Sequence, residues 1–203
     1  MSENLLSENT TGFLDGFVWT NPAGFSRLPG GGIRIDAPAR TDFFRDPAGK
    51  VIADSAPYLH LPVTGDFVAR AQVRHPFRST YDAAALMVWI DPAHWAKLCF
   101  EYTDFGTHAI VSVVTNGTSD DANGPNYIWP VTWLQVVRVG QAFGLHYSPD
   151  GEQWQMTRVF RMEAAQTLEV GMVAQSPVGD GAEIDFLSFY IEKCTVKDLR
   201  SGK

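Results

Sequence analysis

The chain has 203 residues, 45% of them apolar and 19% charged, which is enough for one domain with a real core and excludes intrinsic disorder. Sixteen Lys+Arg against 23 Asp+Glu give a formal charge of −7. With no basic run, that balance argues against nucleic acid and anionic membranes as partners. The first residues, Met1 to Glu8, lack a basic segment followed by an apolar one, and no stretch approaches the roughly 18 apolar residues of a membrane span. The expected location is therefore the cytoplasm. Cys99 and Cys194, each in an apolar stretch, read as buried reduced thiols. Asn9-Thr10-Thr11 and Asn116-Gly117-Thr118 match a glycosylation pattern that has no chemical meaning without secretion.

From Ile33 onward the chain reads as short apolar or alternating runs between turn residues. The runs are Ile33 to Ile35, Phe67 to Val73, Ala84 to Ile90, Leu98 to Tyr102, Ile110 to Val114, Leu134 to Val139, Trp154 to Phe160, Leu168 to Ala174 and Ile184 to Ile191. Strands at this spacing, rich in Val, Ile and aromatics, predict an all-β sandwich or barrel in a single domain. Asp91 to Trp95 reads as a single helical turn at most. Ser148-Pro149-Asp150-Gly151 predicts a type I turn joining Phe143 to Tyr147 with Trp154 to Val159 as a hairpin, because proline presets φ and Asp then Gly suit the positions that follow.

Side chains alternate along a strand, so Ala83, Ala85, Met87 and Trp89 should point one way and Ala84, Leu86, Val88 and Ile90 the other. A strand apolar on both faces is covered on both sides, or forms a concave face roofed by loops. In the next strand Lys97, Cys99 and Glu101 share a face, opposite Leu98, Phe100 and Tyr102. The two charges lie about 13 Å apart along the strand, too far to pair with each other, and each needs another partner, water or a ligand.

The chain has no phosphate loop, dinucleotide fingerprint, nucleophile elbow, H-E-x-x-H or C-x-x-C, and no cofactor or metal is expected. His60, His75, His94, His108 and His146 are scattered without ligand spacing. Asp120-Asp121-Ala122-Asn123-Gly124 is a polar loop that lacks the pattern of a calcium-binding EF-hand and reads as a solvated turn. Glu183 and Asp185 fall on one strand face at a spacing near that of glycosidase carboxylates, but read more simply as the polar face of an edge strand. Glu101 is the better single candidate, because it interrupts an apolar strand. Trp89, Trp95, Trp129 and Trp133, with Tyr81 and Tyr127, supply aromatic surface of the kind that stacks on sugars. Trp95 and Trp129, beside Pro92 and Pro130, are expected in exposed loops.

The segments Trp19-Thr20-Asn21-Pro22, Thr41-Asp42-Phe43-Phe44, Ala53 to Pro57, Tyr81 to Met87, Trp95 to Tyr102, Ser112 to Thr115, Ser119-Asp120, Tyr147 to Gly151, Arg158 and Gly171 to Pro177 resemble, in order, the DUF1349 family. The resemblance covers about Trp19 to Ile191. It implies a concanavalin A-like lectin/glucanase jelly roll of two antiparallel sheets and a relation to a regulator of enolase, with no general catalytic activity. It also divides the chain into an N-terminal segment (1–18) that packs onto the sandwich, the jelly-roll domain (19–193) and a tail (194–203). The chain departs from the family pattern at Ala83 and Ala85, at Cys99 in place of glycine, and at Asp121-Ala122. Cys99 adds bulk between Lys97 and Glu101, so a sugar site there should be narrower or altered in specificity.

Three functions are expected in turn. The first is a binding module for a carbohydrate or other small polar ligand in the concave face, lined by Trp89, Trp95, Lys97, Glu101, Trp129 and Gln135. In it Lys97 donates to ligand oxygens, Glu101 accepts from hydroxyls, and Trp95 or Trp129 stacks as a lid. The second is a carbohydrate-active hydrolase with Glu101 as acid/base and Asp82 or Asp120 as its partner. The third is a regulatory domain that contacts a metabolic enzyme as its protein partner.

Overall fold

A computed structural model of the protein describes residues 3–7 and 13–203. The Asn9-Thr10-Thr11 match lies outside the described residues. Two seven-stranded antiparallel sheets make up the body. The first runs, in spatial order, β1 (Val18–Thr20), β6 (Tyr58–Thr64), β15 (Thr167–Gln175), β8 (Ala83–Asp91), β9 (His94–Tyr102), β10 (His108–Asn116) and β11 (Thr118–Asn126). The second runs β14 (Gln155–Arg161), β13 (Ala142–Ser148), β12 (Thr132–Val139), β7 (Phe67–Arg74), β16 (Ala182–Glu192), β3 (Ile33–Ala37) and β2 (Phe25–Arg27). A separate hairpin, β4 (Phe43–Arg45) with β5 (Ile52–Asp54), completes the set.

The alternation read from the sequence decides which face goes where. Ala84, Leu86 and Val88 of β8, Leu98 and Phe100 of β9, and Val170 and Met172 of β15 point between the sheets. There they meet Phe67, Ala69 and Ala71 of β7, Leu134 and Val136 of β12, and Ile184 and Phe186 of β16. The opposite face of the first sheet is apolar as well: Ala83, Ala85, Met87, Cys99, Val111, Val113 and Val173 form a second cluster with Tyr58, Trp95 and Phe43. Phe43 comes from the β4–β5 hairpin, which lies across this outer face with its ring edge-on to Tyr58, Trp89 and Trp95. Arg45 pins the hairpin laterally: its N–H donates to Ser119 Oγ (2.9 Å) and its Nε to the Gly117 carbonyl (2.8 Å).

The Ser148 turn joins β13 and β14 as expected. Ser148 Oγ accepts from the Gly151 N–H at 2.9 Å, Asp150 Oδ1 accepts from the Glu152 and Gln153 N–H groups, and Gly151 takes φ 78°.

Three local expectations are corrected. Asp91 to Trp95 is no helical turn: Asp91 and His94 are paired residues closing the β8–β9 hairpin. Asp120 to Gly124 is not a turn but part of the edge strand β11, and alternation sends neighbouring carboxylates to opposite faces, where they cannot converge on calcium. Glu183 and Asp185 sit in β16, a central strand between β7 and β3. Asp185 is buried there, accepting from Arg34 Nε (2.7 Å) and Arg74 Nη2 (2.7 Å), and Arg34 also reaches Glu183 (3.3 Å). Of the two thiols, Cys99 is buried and Cys194 half-buried, both free.

Residues 3–7 are stitched to the sandwich. The Leu5 N–H donates to the Phe189 carbonyl, Asn4 Oδ1 accepts from the Phe189 N–H, and Leu6 is fully buried in the core. Truncating a buried leucine removes its transfer energy and leaves a cavity. Leu6→Ala is therefore expected to lower stability by about 2–5 kcal/mol in chemical denaturation. A cost near zero would mean that the segment is not part of the cooperative unit.

Candidate functional site

The register across the first sheet lays the outer face out as rows. Gln175, Ala83, Glu101 and Ala109 form one; Val173, Ala85, Cys99 and Val111 the next; Gly171, Met87, Lys97, Val113 and Asp121 the third. Beside Glu101 the neighbouring strands carry only alanine, and small side chains flanking a long one leave a hollow. It is a cavity of about 230 Å3, lined by Asp42, Phe44, Tyr81, Lys97, Glu101, Val113, Asp121 and Gln175.

The two charged residues of β9 meet different fates. Lys97 is 2% exposed, and its ammonium donates to Asp42 Oδ1 (3.1 Å), the Phe43 carbonyl (2.7 Å) and Gln175 Oε1 (2.7 Å). An ammonium has three protons, so these acceptors saturate it. Burial is the largest influence and opposes its charge, but the surrounding acidic groups, Asp42 first, together outweigh it and hold the Lys97 pKa above its ordinary value. Lys97 therefore holds the hairpin rather than offering donors to a ligand, a correction to its expected role.

Glu101 is 7% exposed, and among the described residues its carboxyl has neither a hydrogen-bond nor an ion-pair partner. Burial raises its pKa to about 8; Lys97 pulls the other way, while Asp121, Asp42 and Asp104 add to the rise. It faces the cavity as a neutral acid at neutral pH. Asp121, on the rim strand, is likewise raised, by desolvation first and then against the pull of Lys97. Tyr81 stands at the mouth, 37% exposed, with φ 67°. That backbone is costly for a bulky side chain. It is held by the Tyr81 N–H donating to the Tyr102 carbonyl (2.6 Å) and by Gln175 Nε2 donating to the Tyr81 carbonyl (3.2 Å).

The other expected site residues disperse. Trp95 is 1% exposed, packed beneath Phe43 with the Lys97 ammonium 5.7 Å from its ring, so it is core under the hairpin, not a lid, and does not line the cavity. Trp89 stands half-buried beside it against Phe43 and Tyr58. Trp129 is exposed in the loop after β11 and does not line the cavity. Gln135 belongs to the other sheet: its Oε1 accepts from Arg70 Nε (2.7 Å) and its Nε2 donates to the Gly202 carbonyl (3.3 Å), under the C-terminal tail. Trp133 is also on that sheet, against Tyr190 and Gly151, and Tyr127 is in the core.

Asp82 is fully buried, accepting from Ser176 Oγ (2.7 Å) and the Ser79 N–H (2.9 Å); it braces the loop below Tyr81 and is no partner for Glu101. Asp120 is exposed and paired with Arg158; alternation along β11 turns it away from Asp121 and the cavity. Asp42, Phe44, Asp121 and Gln175 were not expected to line the site. Each lies in or next to a segment carrying the family resemblance, which was the signal available.

Comparison with known proteins identifies the family and the fold. The profile of the family described as "Protein of unknown function (DUF1349)" matches residues 19–194. The chain belongs to the DUF1349 family. A curated relative, "Regulation of enolase protein 1" of Saccharomyces cerevisiae, is 28% identical over 175 residues, covering 83% of this chain and 85% of its own. The DUF1349 fold is also that of a functionally unknown protein from Saccharomyces cerevisiae, with TM-score 0.83 and 26% identity over 90% of this chain and 99% of that one. The GH43 BlXynB protein from Bacillus licheniformis shares the fold at TM-score 0.69 and 17% identity, covering 93% of this chain and 38% of that one. Lectin I-B4 from Griffonia simplicifolia does so at TM-score 0.58 and 11% identity, covering 95% and 98%. The architecture is thus the expected all-β jelly-roll sandwich.

The folded pKa of Glu101, about 8, lies above its ordinary value of 4.5. The native state therefore holds a proton that the unfolded chain releases between these values, and stability falls as pH rises through that window. Glu101→Gln removes the dependence. At pH above about 8 it should be more stable than the parent by the order of a few kcal/mol, with the two converging near pH 4.5. Denaturation midpoints across pH measure this, and a Gln variant less stable at alkaline pH would contradict it.

Proposed function

We propose that this DUF1349 chain is a cytoplasmic, lectin-like binding module that holds one hydroxylated ring, a carbohydrate or a polyol of that size, in the hollow beside β9. The observation that carries this reading is the Glu101 carboxyl, without a protein partner among the described residues and open to a cavity, while the neighbouring Lys97 is fully engaged. No protein group competes with a ligand for that carboxyl. A protonated carboxyl both donates and accepts, which suits a hydroxyl. Tyr81 and Phe44 offer apolar ring surface at the mouth, and the cavity is smaller than the roughly 300 Å3 at which drug-sized sites begin.

Binding is favoured over hydrolysis because no second carboxyl stands in the row of Glu101, whose neighbours there are Ala83 and Ala109, whereas a glycosidase pairs carboxyls about 5–9.5 Å apart. Asp121 lies two strands across and four residues along, about 16 Å away at the Cα atoms by sheet geometry. Asp42 is closer in role but tied to Lys97.

A second reading, a regulatory domain contacting a metabolic enzyme, draws support from the relative named "Regulation of enolase protein 1" and from the exposed Phe105, Ile128 and Trp129.

A panel of neutral monosaccharides and polyols, read by ligand-observed NMR and thermal shift, tests the binding reading. At least one member should bind, and Tyr81→Ala should weaken it by about tenfold without lowering the melting temperature of the free protein by more than a few degrees. Silence across the panel overturns the reading. Release of reducing sugar would move the function to hydrolysis, and a co-purifying enzyme without any ligand response would move it to regulation.

A further inference from the structure

The charges around the hollow point to a narrower ligand class. Lys97 and Asp42 form an ion pair (3.1 Å) that cancels their charges. What remains facing the cavity is Asp121 from β11 and Glu101 from β9, both acidic. Asp104, in the turn after β9, adds negative potential; Cys99, between Lys97 and Glu101, is held as a neutral thiol by burial; Tyr81 and Gln175 are neutral. Among the described residues no cation other than the engaged Lys97 lines the cavity. Lys97 and, at Asp121, Arg158 partly offset these acids, but an anionic guest such as a sugar phosphate or a uronic acid would still meet more negative than free positive charge there.

We infer that the preferred ligand is a small polyhydroxylated molecule carrying a protonated amine, whose ammonium pairs with Glu101 while Asp121, further across the same cavity, adds negative potential. The inference rests on the binding reading above and specifies its ligand class. The physical logic is an exchange. Without a ligand Glu101 keeps its proton because burial first, and then the carboxylates of Asp121 and Asp104, oppose its charge against the pull of Lys97. An ammonium within hydrogen-bond reach reverses both effects, so Glu101 ionises and its proton leaves to solvent as the ligand enters. Tyr81 at the mouth adds an aromatic face that attracts a cation. Affinity for an amine should therefore rise with pH up to the free-site value of about 8. Affinity for the neutral parent sugar should be flat or fall over the same range.

The test pairs each neutral hexose of the panel with its amino-deoxy analogue, bearing an alkylammonium in place of the primary hydroxyl. Both are titrated calorimetrically at about pH 6 and about pH 8. The amine should bind at least about tenfold tighter than its parent at the higher pH, with proton release shown by dependence on buffer ionisation enthalpy. The preference should shrink at the lower pH. Glu101→Gln and Asp121→Asn should each reduce it several-fold, and the exposed Asp121 keeps the test alive should the Gln variant misfold. Equal binding of amine and parent, or a preference that survives both substitutions, overturns the inference and leaves the binding reading standing. No binding by either member of any pair overturns both.

Discussion

A single buried ammonium organises the outer face of this protein. Lys97 belongs to the sheet, yet its three acceptors come from elsewhere: Asp42 and the Phe43 carbonyl precede or open the β4–β5 hairpin, and Gln175 ends β15. A charge without water must find every partner within the fold, and removing one partner of a buried pair costs far more than an exposed pair is worth. The hairpin is thus tied down at its root by Lys97 and along its length by Phe43 packing on Trp89 and Trp95. Its position in turn decides where the hollow opens. Glu101, four residues further along β9, lies just outside that network and is left without an internal partner.

The contrast between the two residues separates structure from function in this site. Both are ionisable, both are buried and both sit on one strand face. One is over-determined by protein groups and reads as architecture. The other lies open to the cavity without a protein partner and with a raised pKa, a combination that gathers at functional sites. The left-handed backbone at Tyr81, braced through Asp82 and Gln175, adds a second locally unfavourable feature at the same mouth. Such features gather at binding sites because the surrounding fold can hold them in place. The shared jelly roll of lectins and GH43 proteins sets the scaffold but not the guest, since one fold hosts many activities.

The sequence made some of this legible and hid the rest for identifiable reasons. Period-two alternation placed both faces of β8 and set Lys97 with Glu101 on one face of β9, because side-chain direction along a strand is a local property. Which sheet a strand joins is not local, so Gln135, buried and polar like the site residues, turned out to face the opposite side of the sandwich. β11, with its run of Asp, Asn, Gly and Pro, presents no apolar face and looked like a loop; only pairing with β10 makes it a strand. Trp95 sat near a proline and was expected to be exposed, but a two-residue hairpin turn returned it at once to the sheet. Asp42 and Gln175 reach Lys97 from 55 and 78 residues away, a distance no window of sequence spans.

That polar outermost strand has a further consequence. An uncovered sheet margin exposes backbone donors and acceptors that can recruit another polypeptide and seed fibrils. Here the margin beyond β10 carries Asp120, Asp121 and Pro125, and two of the other three margins end in the three-residue strands β1 and β2. Charge, a missing amide hydrogen and brevity each frustrate intermolecular ladder growth. The same acidic border that flanks the hollow thus also helps to keep neighbouring copies of the protein apart in a crowded solution.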